Sequence, residues 1–154
     1  VHAYGIEAKG DGAVQFNRDL ALAFNGNFSW TPSINQGDPT DWADEAIGRQ
    51  LVYVPEFASS FNGRLMWRSW GFTYKWCWYS ERFTTSDNDM NYKIGRIAPY
   101  IMNDIVIEKR FNTKCCALSV KLAVNNIFDE AYESVLSRPM PGRNCELLLE
   151  LRKR

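Results

Sequence analysis

The chain has 154 residues, and its 18 basic and 18 acidic side chains give a formal net charge of zero. This balance offers no basic excess for nucleic acid, so we expect no nucleic-acid partner. Hydrophobic residues make up 45% of the chain and aromatic residues 14%. No apolar run approaches the roughly 18 residues that a membrane-spanning helix needs, which excludes a helical membrane protein.

Enzyme and metal chemistry lack the residues that they need. His2 is the single histidine, so a hydrolase triad has no base and a zinc site has no histidine cluster. Glycine-rich phosphate loops and Cys-x-x-Cys pairs are absent. Cys115 and Cys116 are neighbours that point to opposite faces of one predicted strand, while Cys77 and Cys145 lie too far from them to pair, so we expect four free thiols. We expect no enzyme activity, no cofactor and no metal site.

Apolar residues alternate with polar ones along most of the chain, as they do in strands with one apolar face. In chain order the apolar series are Leu20, Leu22, Phe24, Phe28 and Trp30; Phe57, Phe61, Leu65 and Trp67; Trp70, Phe72, Tyr74, Trp76 and Trp78; Ile105 and Ile107; and Leu118, Val120, Leu122 and Val124. Strand-like sequence also opens the chain and follows Cys145. We predict about seven strands, each near the roughly 9 to 11 residues of a tilted membrane-crossing strand.

Short connections at 12–17, 68–70 and 111–114 alternate with long ones at 31–53, 84–96 and 128–144. Outer-membrane barrels alternate in this way because periplasmic turns are tight and extracellular loops are long, whereas a Greek-key sandwich has no reason to. If the last strand ends in the periplasm, every long loop lies outside the cell. Aromatic residues then fall near the outer interface (Trp30, Trp78, Phe83 and Phe128) and the inner one (Phe16, Trp67, Trp70 and Phe111).

Carboxylates are numerous in the first two long loops, but their spacing lacks the pattern of a calcium-binding loop. Solvated loop charge is therefore the favoured interpretation of most of them. Contact with a bound solute is the second interpretation, and its candidate residues are Asp38, Asp41, Trp42, Asp87 and Asn88.

The final long connection carries turn-forming residues at both ends. Asn and Asp side chains bond their own backbone and close the preceding strand, while two prolines and a glycine fix the approach to the last strand. The residues predicted to shape this hairpin are Asn125, Asn126, Phe128, Asp129, Tyr132, Arg138, Pro139, Pro141, Gly142 and Arg143. Spacing alone leaves an ordinary loop between strands as the alternative.

The segment Asn125-Asn126-Ile127-Phe128-Asp129 with Tyr132, followed by 139–143, resembles the closing hairpin of TonB-dependent outer-membrane receptors. Three earlier phrases are similar to the family in the same order: Tyr4-Gly5-Ile6-Glu7, Tyr53-Val54-Pro55-Glu56-Phe57 and Arg82-Phe83-Thr84-Thr85-Ser86-Asp87-Asn88. The chain departs from the family at its end, where Lys153 occupies the place of a usual aromatic residue. A lipid-facing lysine near an interface costs only about 0 to 1 kcal/mol, so the fold tolerates it.

The resemblance implies an all-β fold, namely an antiparallel transmembrane β-barrel fragment of about seven strands in an up-and-down meander. This fragment would belong to a larger 22-stranded plugged barrel, with residues 1–154 as its C-terminal strands and the plug upstream. The resemblance also implies binding of a scarce solute, of the siderophore, cobalamin or glycan class. Import would follow when TonB, with ExbB and ExbD, moves the plug. The expected setting is the outer membrane of a Gram-negative bacterium, with lipid as a further partner.

A soluble, aromatic-rich β-sandwich that stacks Trp and Tyr residues on a sugar or peptide is the alternative. A sandwich would not need the rest of a barrel, but it leaves the long loops unexplained. Brominated lipid distinguishes the two hypotheses, since it quenches lipid-facing Trp67, Trp70, Trp76 and Trp78 only in a membrane barrel.

Overall fold

The computed structural model describes residues 1–37, 45–89, 91 and 94–153, and its regular elements are all strands. In chain order they are β1 (His2–Ala3), β2 (Ile6–Gln15), β3 (Leu20–Trp30), β4 (Ser33–Ile34), β5 (Phe57–Trp67), β6 (Trp70–Tyr79), β7 (Arg82–Phe83), β8 (Arg96–Ile97), β9 (Tyr100–Asn112), β10 (Cys116–Asn125), β11 (Glu133–Val135), β12 (Arg138–Pro139) and β13 (Asn144–Lys153).

The seven long strands form one antiparallel sheet in the order β2-β3-β5-β6-β9-β10-β13, so each pairs with the next long strand along the chain. The predicted meander of about seven strands is therefore confirmed. The short strands pair within the long connections, β1 with β4, β7 with β8 and β11 with β12. In the described ranges, no helix has the length and apolar character needed to cross a membrane.

The connections alternate in length as predicted. The short ones cover 16–19, 68–69 and 113–115, and the long ones cover 31–56, 80–99 and 126–143. The predicted first turn at 12–17 is wrong, because β2 continues to Gln15. Gly12 lies opposite Phe24, and a Cβ there would be 2.7 Å from the Phe24 Cζ atom. The glycine therefore makes room for a ring within the sheet and does not mark a turn.

The strand register places apolar residues beside one another on a single face of the sheet, which we call the apolar face. Residues that pair directly across strands lie on the same face. One row of such pairs crosses all seven strands and is apolar throughout: Val14, Leu22, Leu65, Phe72, Ile107, Leu122 and Leu147. A row on the opposite face, which we call the polar face, is polar over five strands: Asp11, Asn25, Asn62, Lys75 and Asp104.

The apolar face is not covered by a second layer of the described chain. Ile97 is the single buried hydrophobic residue among the described positions, whereas Phe61, Phe72, Leu122 and Leu147 are all more than a third exposed. A β-sandwich buries the apolar face of one sheet against another. The sandwich alternative is therefore wrong for this chain.

Asn103 is a polar residue in the interior of the apolar face, and its side chain is hydrogen-bonded there. Asn103 pairs with Trp76 in the register and is 8% exposed. The Tyr74 hydroxyl donates to Asn103 Oδ1 at 2.5 Å, and the Asn103 carbonyl accepts from the Ile127 N–H at 2.9 Å. Because a buried amide without partners is costly, the bond from Tyr74 to the side-chain oxygen helps to accommodate an asparagine at this position.

All four cysteines are free thiols. Cys116 pairs with Lys153 and Cys145 pairs with Val124, at opposite ends of the β10–β13 ladder. Their separation along the strands is what the sequence predicted. Cys115 lies in the turn that precedes β10 rather than within a strand.

Adjacent leucines in β13 provide a test of the apolar face. Leu147 lies on that face and Leu148 on the polar one, and both are more than half exposed. If lipid covers the apolar face, Leu147→Arg should lower the free energy of unfolding of the full-length protein in vesicles by about 2 to 4 kcal/mol. Leu148→Arg is the matched control and should change it far less. Equal losses in urea titrations of the two variants would contradict this assignment.

Candidate functional site

The three long connections reach the same edge of the sheet, because antiparallel strands joined by short turns return every long loop to one side. We call the described residues of 31–56, 80–99 and 126–143 the loop cluster. Loops of this length carry function on many rigid β scaffolds. Hydrogen bonds between the loops fix their positions and so determine the shape of any binding surface in the loop cluster.

Asn88 joins the first loop to the second. Its Oδ1 accepts from the Gln50 N–H at 2.8 Å, and its Nδ2 donates to the Gln50 carbonyl at 2.9 Å. The side-chain amide thus pairs with the Gln50 backbone much as a neighbouring strand would. Asn88 adopts a positive φ of 57°, a conformation that asparagine tolerates better than most residues. A third bond between these loops runs from the Tyr53 N–H to the Phe83 carbonyl at 2.7 Å.

Arg82 joins the second loop to the third. Its guanidinium donates to the Glu133 carbonyl at 3.0 Å and to the Ser134 carbonyl at 3.4 Å. It also lies over the Tyr100 ring, with 5.2 Å between its Cζ atom and the ring centroid. Arg82 is 7% exposed, so these contacts replace the water that the charge gives up. The fork of the guanidinium suits two adjacent carbonyls in a way that a lysine would not.

The final loop is closed from within by Asn126, which is 2% exposed. Its Oδ1 accepts from the Glu130 N–H at 2.8 Å and its Nδ2 donates to the Glu130 carbonyl at 2.9 Å. Its own N–H donates to Asp104 Oδ1 at 2.9 Å. Because Asp104 lies on the polar face, this contact ties the loop to the sheet.

Asp129 and Gly142 meet where the final loop approaches β13. Asp129 Oδ1 accepts from the Arg143 N–H at 2.7 Å. A Cβ at position 142 would lie 2.7 Å from that same oxygen, so the close approach requires glycine. Asn125 adds bonds from its Nδ2 to Asn144 Oδ1 and Glu146 Oε1. These contacts involve four residues that the sequence predicts to shape the hairpin, namely Asn125, Asn126, Asp129 and Gly142, and that role remains a prediction.

The other predicted hairpin residues occupy different surroundings. Arg138 and Pro139 form β12, which pairs with β11 inside the final loop. Tyr132 packs on Tyr100 with ring centroids 4.7 Å apart, and burial raises the pKa of the Tyr132 hydroxyl. Phe128, Pro141 and Arg143 are exposed, and so are Arg138 and Pro139.

A cleft of about 760 Å³ opens between the second and third loops. Its floor is largely apolar and includes Ile97, Pro99, Tyr100, Tyr132, Pro139 and Met140. Acidic side chains of Asp129, Glu130 and Glu133 also line it. The volume and the mixture of flat apolar surfaces with a few polar groups suit a small-molecule solute. The described residues contain no cluster of three or more His, Cys, Asp or Glu side chains that could hold a metal ion.

The candidate solute contacts are distributed between the loops. Asp38, Asp41 and Trp42 lie outside the described residues. Asp87 is exposed, and a hydrogen bond from Thr85 is the main cause that lowers the pKa of its carboxyl. Asn88 uses both polar atoms of its side chain on Gln50. Contact of these five residues with a solute remains a prediction.

The polar face carries a charged network that the sequence did not predict. Glu108 is 7% exposed, and its carboxylate accepts from Arg64 and Arg110, each at 2.7 Å, and from Ser119 at 3.0 Å. Three donors satisfy a carboxylate that would otherwise be costly to bury. Period-two alternation places Glu108 on the polar face, but it gives no sign that Arg64, two strands away, reaches it.

Comparison with known proteins gives structural matches alone. No family model matches the chain, and no curated protein matches it. The ferric citrate transporter FecA in its unliganded form is similar over 86% of this chain, with a TM-score of 0.71 and 14% sequence identity. The ferric yersiniabactin uptake receptor FyuA from Yersinia pestis is similar over 97% of this chain, with a TM-score of 0.54 and 18% identity.

These similarities confirm the predicted fold class. FecA and FyuA are TonB-dependent receptors with plugged β-barrels, and the seven-stranded sheet has the fold of a section of such a barrel. The chain spans 21% of FecA and 22% of FyuA in length. Both similar proteins are named for transport or uptake rather than for catalysis.

Gly142 and Gly10 offer a matched pair of glycines. Gly142→Val should lower the yield of folded full-length protein severalfold, because its Cβ would collide with the carboxylate that holds Arg143. A Cβ at Gly10 would meet nothing within 4 Å, so Gly10→Val should leave the yield nearly unchanged. Heat-modifiable mobility in gels measures the folded fraction. If the Gly142 variant assembles normally and instead changes solute preference, the structural part assigned to Gly142 is wrong.

Proposed function

We propose that this chain is the closing section of the barrel wall of a TonB-dependent outer-membrane receptor, which binds a scarce solute and imports it. The observation that carries the proposal is the apolar face, which extends across all seven long strands and lacks a covering layer among the described residues. Lipid is the partner that such a face fits, since strands of membrane barrels alternate apolar outside and polar inside.

The loop cluster would face the extracellular medium and contribute to solute binding. Its cleft is lined by aromatic and apolar side chains and lies at the loop end of the sheet. Asp38, Asp41, Trp42, Asp87 and Asn88 remain proposed contacts on the same edge. The solute would belong to the siderophore, cobalamin or glycan class, which are the classes that receptors of this family import.

The polar face would line the lumen and meet the plug. The described part of that face includes Asn62, Lys75 and Asp104, which offer donors and acceptors to a protein surface rather than to lipid. Transport would need the rest of the barrel, the plug, and TonB with ExbB and ExbD acting on that plug. The activity therefore belongs to the whole receptor, of which this chain would be one part of the wall.

Uptake by cells that produce the full-length protein tests this proposal. Radiolabelled ferric citrate, cyanocobalamin and a maltodextrin serve as probes for the three solute classes. We expect at least one of them to accumulate well above the level in cells that lack the protein. We also expect that accumulation to be lost when TonB is deleted, because TonB transmits the energy that moves the plug.

A loop variant separates solute binding from assembly. Ala131 lines the cleft, so Ala131→Trp should fill it and lower accumulation severalfold without loss of folded protein. Val135 lies on the same loop outside the cleft lining, and Val135→Trp is the matched control. Folded receptor in the outer membrane that accumulates none of the three probes, with or without TonB, would argue against the proposal.

A further inference from the structure

The charges of this neutral chain are unevenly distributed between the two edges of the sheet. The three long connections hold 11 of the 18 acidic residues and 6 of the 18 basic ones. Basic residues instead gather at the opposite edge, where the short turns lie. We call five of them the basic rim: Arg18, Arg68, Lys109, Lys114 and Lys153.

Acidic partners are scarce beside the basic rim. Asp19 forms an ion pair with Arg68 at 3.3 Å, and both side chains are more than half exposed. No other Asp or Glu occurs in the turns 16–19, 68–69 and 113–115. Glu108 and Glu150 lie on the polar face and pair with arginines of that face. The rim therefore keeps a net positive charge.

Two members of the rim lie on the apolar side of the sheet. Lys109 pairs with Trp70, and Lys153 pairs with Cys116, which places both on the apolar face at its turn end. A cation at that position adjoins apolar surface on one side and the turn edge on the other. This is the geometry in which lysine extends its stem along lipid and its ammonium toward headgroups.

Aromatic rings hold the cations at this level. Lys109 Nζ lies 4.3 Å from the centroid of the Trp70 ring and donates to Ser69 Oγ at 2.8 Å. Arg68 Cζ lies 5.6 Å from the centroid of the Trp67 ring. Tryptophan prefers the depth of the membrane interface, so the two indoles would set the two cations at the level of lipid phosphates.

Resting on the function proposed above, we infer that the basic rim binds the phosphates of anionic phospholipids in the leaflet that the turns face. The ligand must combine an anionic head with apolar tails, since the cations border the apolar face. A basic residue near an anionic membrane surface contributes roughly a fivefold gain in affinity, so removing two should matter measurably.

Lipid retention by the full-length protein tests this inference. The protein is placed in nanodiscs of equal parts phosphatidylglycerol and phosphatidylcholine, and lipids that stay bound are counted by native mass spectrometry. The wild type should retain more phosphatidylglycerol than phosphatidylcholine. The double variant Arg68→Gln, Lys109→Gln should lower the ratio of the two retained lipids by about tenfold or more. Arg138→Gln, Arg143→Gln removes two charges from the loop edge and should leave the ratio unchanged.

Further variants keep the outcome decisive. Lys109→Arg retains the charge and should preserve the ratio. If the double variant does not fold, Arg68→Gln alone is used, because Arg68 lies in an exposed turn, and a loss of about fivefold is expected. An unchanged ratio in a rim variant that enters nanodiscs overturns the lipid site and leaves the proposed receptor function intact. Failure of the wild type to enter nanodiscs would contradict both.

Discussion

The hydrogen-bond register of the seven long strands is the constraint on which the rest of this structure depends. Because side chains alternate with a period of two, a slip of one residue in any ladder would move apolar side chains to the polar face. The observed register instead aligns Val14 with Leu22 and continues through Leu65 to Leu147. An uncovered apolar surface and an opposed polar surface follow from this one alignment.

The loops depend on a different kind of interaction, in which side chains bond to distant backbone. Asn88 pairs with Gln50, Arg82 binds the carbonyls of Glu133 and Ser134, and Asn126 closes the final loop. Each contact satisfies backbone groups within the loops. The three loops are thereby connected to one another, and the cleft between the second and third is bounded by elements with fixed contacts.

The sequence predicted the features that local periodicity controls. Alternation along 57–68 and 70–78 gave the strands and their faces, and Asn126 and Gly142 were identified because turn chemistry is local. The first turn was misplaced because a glycine such as Gly12 is typical of turns. Gly12 lies within β2 and leaves space for the ring of Phe24 on the paired strand, and only the register shows that these two residues are opposite each other. The contact of Arg64 with Glu108 spans 44 residues of the chain and that of Arg82 with Glu133 spans 51, and no local pattern encodes either contact.

The most direct test of the account is the mass and membrane partition of the native polypeptide that contains this sequence. We predict a species several times heavier than 17.8 kDa, retained in the outer-membrane fraction after alkaline washing, because the proposed wall section would need the rest of a barrel and lipid to cover its apolar face. A species of about 17.8 kDa that remains in the aqueous fraction would contradict the account.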